Sequence, residues 1–132
     1  MICLDSSALL TLLHREAESA ALADWLAARA RTPVVSSALA KVEVTRACQR
    51  INPEALPAAK TLLAGLDVIP LSGAVIDEAA DVGGTLLRSL DAIHLASALS
   101  IRADLTTFIA YDHRLSDAAA AAGLTLATPG VR

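Results

Sequence analysis

The sequence predicts an α/β fold in three layers, with helices on both faces of a five-stranded parallel sheet. Three observations carry it. Short apolar runs of strand length alternate with longer segments of helical period. That alternation argues for a parallel sheet covered on both faces, and the opening run ICLD reads as a buried strand. The 132 residues suit one compact domain, 1–132, large enough to bury a core without disulfide or metal staples.

The run ICLD, 2–5, reads as a buried strand that delivers Asp5 to its C-terminal end. Ser6 and Ser7 then open a helix through ALLTLL. A second helix is expected over about 16–30, where Leu22, Trp25 and Leu26 share a face. Pro33 opens the strand PVVS, and Ser36 or Ser37 caps a helix over about 38–50. Pro53 starts a helix over about 54–64 that Gly65 ends. DVIPL, 67–71, is a third strand, and Ser72 or Gly73 opens a helix reaching about Gly83. Gly83-Gly84 breaks the chain. Ser89 is expected to cap a helix over about 90–102 that is apolar on nearly every side and therefore central. DLTTFIAY, 104–111, is the fourth strand, 113–122 an alanine-rich helix, and LTLAT, 124–128, the fifth strand.

Composition narrows the function. The net charge is −3 and aromatics make up 2%, so no lysine-rich tail or aromatic ladder holds nucleic acid in bulk. An RNA substrate would need a metal and a few arginines. The hydrophobic fraction is 55%, yet no run of about 18 apolar residues is free of charge, which argues against a membrane span. The opening MICLD lacks a basic n-region, which argues against a signal peptide. So apolar a chain is expected to leave an apolar patch for a partner or a second copy. Cys3 and Cys48 show no metal-ligand spacing, so both read as buried hydrophobes in a reducing cytoplasm.

Four of the fourteen acids do not read as surface charge. Asp5 and Asp112 each end an apolar strand, where ligands of parallel sheets gather; either is equally a turn or cap acid. Glu43 falls with Leu39 and Val42 on one helix face, unless it merely pairs with Arg46. Asp91 opens the most apolar helix and shares a face with Leu95 and Ala98, though the helix dipole alone favours an acid there. If the four meet, their repulsion is relieved by a hard divalent cation, since two unit charges 4 Å apart interact by about 4 kcal/mol at an effective dielectric of 20. An all-oxygen donor set argues against zinc.

At LDSSALL (4–10), Glu43, SLDAIHLASAL (89–99) and YDHRL (111–115), the chain resembles the PIN-domain family. It is most similar to the toxins of VapBC-type toxin–antitoxin pairs. The resemblance spans nearly the whole length and implies a parallel sheet of order 3-2-1-4-5. It implies that Asp5, Glu43, Asp91 and Asp112 form a site for one or two Mg²⁺, with Mn²⁺ the other candidate. Ser7 fills the family's hydroxyl position two residues after the first acid. Ala110 stands where the family often has Thr or Ser, so one steadying hydroxyl is missing.

The activity implied is metal-dependent RNA cleavage by a water activated at the metal, which attacks in line while the 3′ oxygen leaves. Asp5 is the candidate to orient that water, and Arg114 a candidate phosphate contact. His94, three residues after Asp91, reads as core packing with one hydrogen bond. A VapB-type antitoxin and a homodimer are the implied partners. The alternatives are a PIN nuclease of RNA maturation and a silent PIN binding module. A receiver domain would want an acid pair after strand one and a late lysine, but Ser6 and Ser7 follow Asp5 and no lysine lies beyond Lys60. An Asp-x-Asp phosphatase is excluded by Ser7.

Overall fold

The computed structural model describes residues 1–131. Strand β1, Ile2–Leu4, is buried at every position. It pairs in parallel with β2, Val34–Ser37, on one side and with β4, Thr107–Ile109, on the other. β3, Asp67–Ile69, is the edge strand beyond β2, which gives the order β3-β2-β1-β4. The pairing sets Cys3 opposite Val35 and Phe108, and Leu4 opposite Ile109.

Side chains of β1 alternate between two cores, as a pleated strand dictates. Ile2 and Leu4 join a cluster with helix α1 (Ser6–Leu13), α2 (Ser19–Ala27), α3 (Ala38–Ile51) and α4 (Leu56–Ala64), through Leu9, Leu22, Val44 and Ala59. Cys3 joins the opposite cluster with α6 (Ser89–Ser100) and α7 (His113–Ala121), through Leu95, Leu99, Leu115 and Ala119. Helix α5, Gly73–Asp81, packs beside α6. The predicted three-layer architecture is therefore present.

The fifth strand is the main correction. Over 124–128 the sheet gains a single parallel bridge, Phe108 with Leu126. The backbone bonds there are Phe108 N–H to Thr125 O and Ala127 N–H to Phe108 O. Gly123, at φ +92, turns the chain immediately before this segment, and Pro129 closes it off immediately after. Proline donates no N–H and restricts the residue before it, so the ladder does not extend past Thr128.

Smaller corrections concern caps and lengths. Asp5, not a serine, caps α1 by accepting the Ala8 N–H. Ser37 caps α3 as expected, while Ser36 donates instead to Leu4 O across the sheet. Pro53–Ala55 forms a 3₁₀ turn before α4, and α2 is shorter than its periodicity suggested. The backbone of Arg88, not Ser89, stands at the start of α6. Cys3 and Cys48 are free and buried, as expected.

Candidate active site

Three turns of chain meet at the C-terminal edge of the sheet. β1 and β4 lie side by side and parallel, so Asp5 and Asp112 emerge at the same edge. The ladder reaches Asp5 itself, whose N–H donates to Ile109 O. The chain leaves β1 toward β2 on one side and reaches β4 on the other, which makes this the switch point where a parallel sheet opens a crevice.

Asp5 is 3% exposed. Its Oδ1 accepts Ser7 Oγ–H at 2.6 Å and Ala8 N–H at 2.9 Å. Burial pushes its carboxyl up to about 6 against the pull of those two bonds and of His94, and the charge of Asp91 pushes the same way. Ser7 also accepts the Tyr111 N–H at 3.0 Å, so one hydroxyl ties the end of β1 to the end of β4. Ala110 brings no hydroxyl, but its carbonyl accepts Ser116 Oγ–H at 2.8 Å, which steadies the same stretch from α7.

Glu43 projects from α3 and is half-buried. Its Oε1 accepts Ser6 Oγ–H at 2.7 Å and meets His94 Nε2 at 2.5 Å. Burial would raise this carboxyl; the bonds from His94 and Ser6 outweigh it and hold Glu43 below its ordinary range. An ionised carboxylate only accepts, so Nε2 is the imidazole nitrogen that carries the proton. Glu43 does not pair with Arg46; among the described residues its basic partner is His94.

Asp91, in the first turn of α6, is raised by burial and then by the charge of Asp112, with Glu43 adding to the effect and His94 and Arg88 opposing it. Asp112 caps α7, its Oδ1 accepting Leu115 N–H at 3.0 Å. Asp91 and Asp112 line an open cleft of about 370 Å³ with Arg88, His113 and Arg114.

Asp91 is therefore the acid that feels or is felt by the other three: it raises Asp5, and Asp112 and Glu43 raise it. The four are not drawn into a closed cage: among the described residues no three His, Cys, Asp or Glu side chains stand as a ready metal group. The donor set nevertheless suits a hard divalent cation. It is all oxygen, two of its carboxyls are pushed up by burial and mutual charge, and no lysine or arginine among the described residues bridges to it.

Sequence reasoning missed Arg88 and Ser6, and gave His94 too small a part. Arg88 sits three residues ahead of Asp91, a spacing that already places a cation beside that acid. Ser6 was visible only as a helix-start residue; its bond to Glu43 crosses 37 positions. His94 is buried, as expected, but its partners are Glu43 and Ser6.

Comparison with known proteins agrees with this architecture. The PIN domain model matches residues 2–121. Ribonuclease VapC35 of Mycobacterium tuberculosis is 45% identical over 132 residues, covering 98% of both chains. The crystal structure of VapC20 from the same organism, a Sarcin-Ricin loop cleaving toxin, superposes with TM-score 0.75 at 19% identity, over 98% of this chain and 100% of that one. VapBC2 from Rickettsia felis, bound to a DNA fragment from its promoter, gives TM-score 0.75 at 12% identity, over 98% and 99%. These two structures bear on the fold alone. The full-length kinship to VapC35 and the matching domain model establish that the chain belongs to the PIN domain family.

Proposed function

We propose that the chain is one PIN domain acting as a Mg²⁺-dependent ribonuclease, the toxin of a toxin–antitoxin pair. The observation that carries this is the buried Asp5 at the sheet's switch point, its carboxyl raised by burial and by the charge of Asp91, which is itself raised by burial, Asp112 and Glu43, with no lysine or arginine among the described residues bridging them. The names of relatives such as VapC35 support the same reading.

Asp5, Glu43, Asp91 and Asp112 would hold the cation, Mg²⁺ or Mn²⁺. Bound there, it supplies a water acidic enough to attack at neutral pH and neutralises charge building on the phosphate. The chain's own residues do the rest. Ser7 and the Ala8 N–H fix Oδ1 of Asp5, leaving that carboxylate oriented toward the attacking water. Arg88 and Arg114, on the rim of the cleft, meet the phosphates that flank the cut. With a net charge of −3, these local cations rather than an overall positive field bring in RNA.

A VapB-type antitoxin and a second copy of the chain are the partners on this reading, and the cytoplasm its compartment. Among the described residues no helix is long and apolar enough to cross a membrane. The test is cleavage of total RNA with Mg²⁺, with Mn²⁺ and with chelator, repeated after adding the product of the adjacent small gene. Metal-dependent cleavage that this product suppresses supports the proposal. Intact RNA in the presence of either metal overturns it.

A further inference from the structure

His94 is a buried imidazole in the most enclosed helix of the molecule, which also buries Leu95, Ala98 and Leu99. A leucine would fill that space without the cost of burying a polar ring. The ring instead reaches a carboxylate on the site's edge. His94 Nε2 stands 2.5 Å from Glu43 Oε1 and 3.1 Å from Ser6 Oγ, while Ser6 donates to the same Oε1 at 2.7 Å. The three residues come from α6, α3 and α1, so the contact joins three helices at one oxygen. Both donors end on Oε1, and among the described residues Oε2 carries no hydrogen bond. Glu43 is thereby fixed at one oxygen and open at the other.

We propose that His94, with Ser6, is a positioning residue that holds Oε1 of Glu43 so that Oε2 alone is turned toward the divalent cation. The inference rests on the metal-site reading above and deepens it. A carboxylate on a flexible three-bond stem swings unless one oxygen is tied, and a swinging ligand pays ordering entropy each time the cation binds. His94 and Ser6 remove that cost before the cation arrives. The same bonds keep Glu43 from turning outward to Arg46, one helical turn along α3.

The experiment is Mn²⁺ binding measured calorimetrically and by electron paramagnetic resonance at constant pH. Thermal unfolding and RNA cleavage are followed alongside. The variants are Glu43→Gln, His94→Gln, His94→Asn and His94→Leu. Glutamine places an N–H near the position of Nε2, asparagine places one near Nδ1 and out of Glu43's reach, and leucine fills the volume without a donor. Loss of a residue that orients a metal ligand lowers affinity about 10- to 100-fold. That loss is expected for His94→Leu and His94→Asn, with recovery in His94→Gln. The Gln–Asn contrast holds even if the leucine variant fails to fold, because both amides are polar and neither fills the ring's volume. If Glu43→Gln weakens binding while His94→Leu and His94→Asn bind as tightly as the wild type, or if His94→Gln is as weak as His94→Asn, the positioning role is refuted and the metal site stands. If the wild-type protein binds no Mn²⁺, both readings fall together.

Discussion

Ser7 donates its only hydroxyl proton to Asp5 Oδ1 at 2.6 Å while accepting the Tyr111 N–H at 3.0 Å. One small side chain thus fixes a site carboxylate and joins the ends of β1 and β4, which the sequence separates by more than 100 residues. Ser7→Ala removes both bonds. A hydrogen bond to a charged group contributes about 1.5–3 kcal/mol, and the stranded Tyr111 N–H adds a desolvation cost. The expected result is a lower urea midpoint at unchanged m-value, with RNA cleavage reduced more than thermal stability would explain.

Asp5 predicts an unusual pH dependence for the metal-free protein. Its carboxyl sits at about 6 in the fold against 3.8 for the free side chain. The folded state therefore holds this proton more tightly than the unfolded state does. That stabilisation is complete below pH 4 and is lost as pH rises through about 6, an effect of at most about 3 kcal/mol. Melting temperature measured in chelator should fall across this window. Asp5→Asn, which keeps the capping oxygen, should flatten the fall and abolish cleavage with the fold intact. An unaltered slope in that variant would count against the assignment.

Arg88 lowers the carboxyl of Asp91, and burial together with Asp112 raises it. Removing the guanidinium lets Asp91 climb further. In Arg88→Ala the acid limb of the kcat/KM profile for RNA cleavage should move to higher pH, and KM should rise through the lost phosphate contact. Arg114→Ala should raise KM without moving that limb.

Gly83 has φ +82, and a Cβ there would stand 2.3 Å from Leu87 Cδ2 and 3.1 Å from its Cβ. Leu87 is packed against the core on the α6 side of the sheet. Gly83→Ala therefore meets both backbone strain and a clash, about 2–5 kcal/mol together. Gly84, at φ +70, has open space around it, so Gly84→Ala should cost only the conformational part, about 1–2 kcal/mol. Denaturant titration of the two variants separates the terms.

Burial, with a smaller push from Asp5, raises the Cys3 thiol to about 12, which leaves almost no thiolate at neutral pH. Alkylation with iodoacetamide at pH 8 should be undetectable in the folded protein and rapid in denaturant.

The sequence carried the architecture because its strands are short, apolar and separated by helical periods; β1 and α6 were legible almost to the residue. The fifth strand was not. LTLAT has the composition of a strand, but only Leu126 bridges to Phe108, and composition does not register how many of its residues come into register with β4. The acids divided in the same way. Asp5, Asp112 and Asp91 stand at element ends, where their type is conspicuous. Glu43 needed a family resemblance, because a glutamate that shares a helix face with Leu39 and Val42 reads equally well as a partner for Arg46 three residues on. The Ser6–Glu43–His94 contact lay beyond reach, since it joins positions 37 and 51 residues apart and has no local period to reveal it.

Phe108 is entirely sealed, yet on its outer flank only two backbone bonds and Leu126 close the sheet. The segment after Gly123 works as a stopper over a raw edge rather than as a full member of the sheet, and Tyr111 Oη–H pins it down through Pro129 O. Trimming the chain at Gly123 would unplug that edge beside the largest buried aromatic. Such a clipped molecule should keep its helices, as circular dichroism would record, and clump with its own kind through β4.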